Sequence, residues 1–306
     1  TRYWRDWSSD VCSSDLLFGI DADTQLDSEA ISHLVAHFAD PRVAAVAGNV
    51  KVGNAQNLLT RWQSLEYTTS QNVDRRAFGL LNCITVVPGA IGAWRASAVR
   101  QVGGYESDTL AEDMDLTWRL RMAGYRLANE PRAIAYTEAP QSFGAFFKQR
   151  FRWAYGTLQC LVKHRKALGR YGWFGWFAIP SLWLFQIVFQ ILAPLIDLKI
   201  LTTLATFLLA WKSGGSTELQ SSSAAFDQLV TLSVLYGLFF AVELSAAWLA
   251  YRWERAPKID LLYLFLQRLV YRQMMYGVVL QSLWRALGGG RQGWNKLQRT
   301  GAVRTN

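Results

Sequence analysis

The chain has 306 residues, 51% of them hydrophobic and 14% aromatic, with a formal net charge of +9. Its apolar residues gather after residue 171, which favours a membrane portion over one oversized core. Of that net charge, +5 comes from the acid-free stretch 285–306 after those apolar segments instead of from a stripe on a soluble face, which argues against a nucleic-acid binder.

Residues 1–15, TRYWRDWSSDVCSSD, show no helical or strand period, and SSDVCSSDL resembles translated sequencing-adapter sequence. They read as a non-native leader, and without an apolar core they make no signal peptide. Leu16-Leu17-Phe18-Gly19-Ile20 is then a short apolar run ending in Asp21-Ala22-Asp23, a buried strand with acids at its carboxyl end. In an open α/β sheet that end is where ligands bind. Two carboxylates one residue apart can chelate a divalent ion that also grips a diphosphate, and hard oxygen ligands suit Mg2+ or Mn2+. A turn with an N-capping Asp is the plainer explanation of the same residues.

Asp27 and Ser28 cap a helix over 29–38 with Ile31, Leu34, Val35 and Phe38 on one face. A strand is predicted over 43–48, a long helix over 57–81 with Arg75 and Arg76 on a solvated face, and another strand over 83–87. That strand runs into Pro88-Gly89-Ala90-Ile91-Gly92, a turn whose glycines let backbone approach a ligand closely. A helix over 110–123 opens with Glu112, Asp113 and Asp115. Three acids in a first turn complement the helix dipole, and a carboxylate at the edge of a cleft can equally take a proton from a hydroxyl. After a strand over 125–135, an amphipathic helix over 142–166 contains Gln149-Arg150-Phe151-Arg152-Trp153. Two guanidinium forks suit phosphate and an indole suits a sugar face; an interfacial helix whose arginines snorkel to headgroups accounts for the same five residues. Cys12, Cys83 and Cys160 have neither the number nor the spacing for a disulfide framework or a zinc site, as in a reducing compartment.

In order, FGIDADT, DPRVAAVAGNVKV, VVPGAIGAWR, VGGYESDTLAEDMDLTWRLRMAGY, KQRFRW and a terminal GWNKLQRTG resemble the processive family-2 glycosyltransferases, the group of poly-N-acetylglucosamine, chitin, hyaluronan and cellulose synthases. The likeness runs from about residue 16 to 303 and leans towards the poly-β-1,6-N-acetylglucosamine branch. It implies an α/β plus membrane α-helical fold: a partial GT-A-type nucleotide-sugar transferase domain, its first strands missing, followed by an interfacial helix and transmembrane helices. It further implies that Asp21 and Asp23 hold Mg2+ or Mn2+ with the UDP diphosphate, and that Asp113 is the general base. Glu112, Gly89, Ala90, Gln149, Arg150, Arg152 and Trp153 are implied as substrate-binding residues, the last four closing over the diphosphate and stacking the acceptor sugar. Ala111 stands where the family carries Thr or Ser. No residue here can be nominated for uracil recognition, so the chain as given is expected to bind UDP-sugar weakly and to be a weakly active or inactive piece of its parent.

The expected organisation is the leader at 1–15, the transferase domain at 16–140, the interfacial region at 141–170, a membrane region at 171–284 and a basic cytoplasmic tail at 285–306. Four spans are expected, at 171–193, 194–213, 228–251 and 260–283, with a polar loop over 213–225. Trp173, Trp176 and Trp183 form an aromatic belt, and Glu243 is an intramembrane acid whose expected partner is Arg268 or Arg272. The implied function is a multi-pass enzyme of the inner (plasma) membrane, its transferase domain cytoplasmic. It would transfer sugar from a UDP-sugar donor, UDP-N-acetylglucosamine foremost, to a β-linked polysaccharide acceptor and pass the polymer through its own channel in the lipid bilayer. No nucleic acid is expected, and accessory export subunits are left open. Two other readings stand beside it. One is a non-processive transferase acting on a polyprenyl-phosphate or other lipid acceptor; the other is a membrane transporter or scaffold with a soluble appendage.

Overall fold

The computed structural model of the chain describes residues 15–213, 216–254 and 258–288. The leader, apart from Asp15, and the basic tail beyond residue 288 lie outside the described residues, as does Cys12.

The first half is built on a five-stranded mixed sheet in the order β1 (Leu16–Gly19), β4 (Gly92–Arg95), β3 (Val43–Val52), β5 (Arg126–Thr137), β2 (Thr24–Leu26). β3 runs parallel to β5 and antiparallel to β4, while β1 and β2 are antiparallel edges. Nearly every residue of β3 is buried, as a central strand covered on both faces requires. Its alternation assigns the two layers. Val46 and Val50 point to α1 (Ala30–Ala36) with Leu34 and Phe38; Ala45 and Ala47 point to Leu116 and Leu120 of α5 (Glu112–Met122). α2 (Leu58–Glu66) begins with an Asn57–Thr60 capping box, which satisfies two otherwise orphaned amides. It continues through a π-helical turn, Tyr67–Gln71, into α3 (Asn72–Leu80). α4 (Ala96–Gln101) follows β4. α6 (Phe143–Lys163) is capped by Ser142, whose side chain accepts from Ala145 N.

Two sequence expectations move. The strand predicted over 83–87 is an extended, mostly buried segment that joins no ladder, and the ladder is made instead by Gly92–Arg95. Arg75 and Arg76 do not form a solvated face. Arg75 is 7% exposed, and Arg76 bonds Glu254 at 2.6 Å.

In the second half, two helices are long and apolar enough to cross a membrane, Phe174–Leu209 and Phe226–Trp253. Residues 174–213, read above as two spans, form one unbroken helical run through both Pro180 and Pro194, with π-helical turns on either side of Pro180. Wider turns are how a helix accommodates the amide that proline lacks. The helix Ser216–Trp253 starts inside the stretch expected as a polar loop. Residues 258–287 are helical and pack against the first half, with Tyr271 and the half-buried Met274 and Met275 meeting Leu59, Trp62 and Phe146. Arg268 Nη1 lies 2.9 Å from Glu243 Oε2, the pairing expected from the two intramembrane charges.

Candidate active site

β1 ends at Gly19, and Asp21 to Asp23 form the turn that leads into β2, closed by Thr24 N donating to Asp21 O at 3.0 Å. Opposite this turn is Gly89. A Cβ added there would sit 3.7 Å from Asp21 Oδ1, so the bare backbone keeps the approach to that carboxylate open. The Gly89 amide donates to Asp113 Oδ2 at 3.3 Å, and the Met114 amide donates to Asp113 Oδ1 at 2.8 Å. One glycine thus joins the acid at the end of β1 to the acid at the start of α5.

Burial pushes the Asp113 carboxyl above its ordinary value, while its two backbone donors and the charges of Arg152 and Arg75 pull it down. Glu112 is pushed from 4.5 to about 7, by burial first and then by Asp113, with Asp21 adding to the effect and Arg152 opposing it. Asp113, Arg152 and Asp21 therefore all bear on Glu112, and the half-buried Tyr105 phenol feels Asp113, Glu112 and Asp21. Raised carboxyls clustered at half-buried positions are a recognised mark of a functional site.

The QRFRW residues divide. The charge of Arg152 acts on Glu112 and Asp113. Arg150, expected among the diphosphate ligands, is 2% exposed, and its two terminal nitrogens fork onto Glu66 at 2.9 and 2.6 Å. Gln149 is buried as well, 5% exposed. Trp153 is half-buried against the core, its ring 6.2 Å from that of Tyr67. Ala90 contributes a methyl to the core beside Ile91 and Ala93, leaving Gly89 as the part of that turn that meets the acids.

Three contributors were not read as site residues from the sequence. Gly156 lets α6 lie against the residues before α5: a Cβ there would come 2.7 Å from Ala111 Cβ and 2.8 Å from Ala111 N. Gln159 accepts from Leu110 N at 2.8 Å in the same seam. Arg75, buried within reach of Asp113, supplies a second positive charge behind it; burial lowers its guanidinium to about 10, and Asp113 opposes that fall. The spacing of Gly156, one helical turn after Arg152 on the same helix, was the available signal.

The donor set at the Asp21–Asp23 turn is carboxylate oxygen facing a concentration of further negative charge, which fits a hard divalent ion. A second acidic group, Glu106, Asp108 and Asp115, brings its oxygens within 4.8 Å of one another. Lys163 Nζ already sits among them, at 2.7, 2.9 and 2.9 Å. Asp115 also meets His164 Nε2 at 2.7 Å and Arg119 Nε at 2.8 Å. An ammonium fills the place an ion would take, so the turn after β1 is the better candidate.

A family profile described as Glycosyl transferase family group 2 matches residues 17–212. The poly-beta-1,6-N-acetyl-D-glucosamine synthase of Staphylococcus aureus (strain COL) is 32% identical over 152 residues, 49% of this chain and 37% of that protein. The enzyme of the same name from Staphylococcus epidermidis is 31% identical over 145 residues, 47% and 35% of the two chains. The chain therefore spans little more than a third of the curated relatives it matches. Among solved structures, a mannosyltransferase from Pyrobaculum calidifontis in complex with GDP-Man and Mn2+ superposes with a TM-score of 0.47 at 18% identity, covering 79% of this chain and 64% of that one.

Proposed function

Since the chain belongs to glycosyl transferase family group 2, we propose that it carries the acceptor-activating and donor-holding parts of an inverting synthase of a β-linked N-acetylglucosamine polymer, with UDP-N-acetylglucosamine as donor. The observation that carries the reading is the junction at Gly89, which brings Asp21 and Asp113 together from opposite ends of the transferase half.

Asp113 is the base. Its raised carboxyl accepts the proton of the acceptor hydroxyl as that oxygen bonds to the anomeric carbon of the donor. The bond from that carbon to the diphosphate breaks on the opposite face, and UDP leaves with the electron pair. A base tuned towards the working pH gains driving force for that proton transfer. Arg152 is the cation at the cleft suited to the charge that collects on the departing diphosphate. Asp21 and Asp23 would hold Mg2+ or Mn2+, which when bound supplies Lewis-acid neutralisation of the diphosphate. Trp153 offers a flat apolar face for the acceptor sugar. The two long apolar helices, Phe174–Leu209 and Phe226–Trp253, suit an enzyme that works at a bilayer and hands its polymer across it.

The reading is tested in membrane vesicles with a synthase that contains these residues and retains transfer, by incorporation of label from UDP-N-acetylglucosamine against UDP-glucose. Asp113→Asn is expected to lower transfer by about 10²–10⁴-fold with the unfolding midpoint little changed, and transfer at the parental rate in that variant would refute the assignment.

A further inference from the structure

Arg150 is the buried half of QRFRW, and its surroundings are built from three separate parts of the chain. Both of its terminal nitrogens fork onto Glu66 at the end of α2. The Tyr271 hydroxyl, from the helical run after the second apolar helix, donates to the same Glu66 carboxylate. The guanidinium lies over the Trp153 ring, 4.4 Å from its centroid, with the Phe146 ring at 5.2 Å and the Tyr67 ring at 5.9 Å. A bidentate fork fixes a guanidinium in plane as well as in place. Stacking on that plane then sets the tilt of the indole. Burial works against the charge of Arg150, and the Glu66 carboxylate more than restores it, so the plate stays cationic.

We infer that Glu66 and Tyr271 are positioning residues for the glycan acceptor: acting through Arg150, they fix the pitch of the Trp153 face on which the acceptor end rests. The proposal rests on the reading of Trp153 as that acceptor surface. It gives the membrane-side helix carrying Tyr271 a direct hold on how the acceptor hydroxyl is presented to Asp113. It also separates the two arginines of the motif, Arg152 serving the donor side and Arg150 the acceptor side.

The test uses the whole chain in lipid nanodiscs, unsubstituted and as Tyr271→Phe, Glu66→Gln and Arg150→Lys. Amide hydrogen exchange over residues 149–154 reads the positioning itself. Quenching of tryptophan fluorescence by N-acetylglucosamine oligosaccharides, with Trp153→Phe as the blank, reads acceptor binding, and UDP with Mn2+ is titrated separately. All three variants are expected to exchange faster at 149–154 and to bind oligosaccharide about tenfold more weakly, the scale of one lost hydrogen bond to a charged group, while UDP affinity is unchanged. Arg150→Lys keeps the charge without the fork and is expected not to restore binding, which a purely electrostatic role would allow. Tyr271→Phe removes a single hydroxyl, so it reads cleanly even where Glu66→Gln folds poorly. Unchanged exchange in Tyr271→Phe overturns the positioning. Weaker UDP binding with intact oligosaccharide binding overturns the assignment to the acceptor. Should exchange respond while the unsubstituted chain binds no oligosaccharide, the reading of Trp153 fails, and with it the acceptor role, while the Glu66 relay itself stands.

Discussion

Glu112 and Asp113 share one helical turn, but Asp113 receives two neighbouring backbone donors, whereas Glu112 has its own amide alone and burial leaves it near 7. The sign of its effect on stability follows. Between its ordinary value of 4.5 and about 7 the folded chain keeps a proton that the unfolded chain has released. Stability from this group is therefore greatest at low pH and falls as pH rises through that window. A divalent ion at Asp21 opposes the loss because it offsets the same negative charge. Mn2+ is thus expected to raise the unfolding midpoint by several degrees at pH 8 and hardly at all at pH 5.5, with the response abolished in Asp21→Asn; an equal shift at both pH values in differential scanning fluorimetry would count against a metal in this cleft. These acids were legible in the sequence because each stands in a short stretch whose chemistry is local, DAD after an apolar run and EDMD at a helix start. Arg75 was not. The π-helical turn Tyr67–Gln71 takes an extra residue per turn, which rotates everything after it. Arg75 thereby faces inward, where its Nη2 meets Gln71 Oε1 at 3.2 Å, while the neighbouring Arg76 turns to Glu254.

Among the elements, α6 shows how packing decides what a glycine does. Gly156 has no room for a Cβ against Ala111, whereas at Gly144, near the start of the same helix, nothing lies within 4 Å. Gly156→Ala is expected to destabilise by about 1–3 kcal/mol, as overpacking does, and to slow transfer because α6 must back away from the turn that presents Asp113. Gly144→Ala is expected to stabilise by about 0.5–1 kcal/mol through helix propensity alone. Chemical denaturation of the two variants side by side checks the contrast, and equal midpoints would show that the seam yields. α5 explains the strand that failed to appear. The Thr117 hydroxyl accepts from Val87 N at 3.0 Å, and Trp118 Nε1 donates to Thr85 O at 2.9 Å. Side chains of a helix thus take bonds that a neighbouring strand would have made. The apolar run over 83–87 reported burial and extension, but no local pattern tells a strand which donor will reach it first.

For the molecule as a whole, the long apolar helices of the second half are fastened to the transferase half by buried charge as well as by apolar contact. Glu254, at the end of the second apolar helix, has a side chain 5% exposed and meets Lys51 at 3.1 Å, Arg76 at 2.6 Å and Asn49 at 2.9 Å. Glu254→Gln leaves two half-buried cations of the β3 and α3 surface without their counter-charge, and a hydrogen bond to a charged group is worth about 1.5–3 kcal/mol. The variant is expected to melt several degrees lower in detergent and to be cut by trypsin after Lys51 or Arg76; a parental digestion pattern would show that the apolar packing of Leu65, Ala247 and Tyr251 suffices. None of this was legible from composition, which reports where a chain turns apolar but not which polar residue at the end of a span finds its partners two hundred positions earlier. The same knot bears on descent. Residues 49, 51, 76 and 254 are far apart in the chain yet form one electrostatic unit, so loss of the acid in any lineage leaves two cations without their counter-charge. Drift at these four places should therefore be concerted, and they should be inherited as a single character.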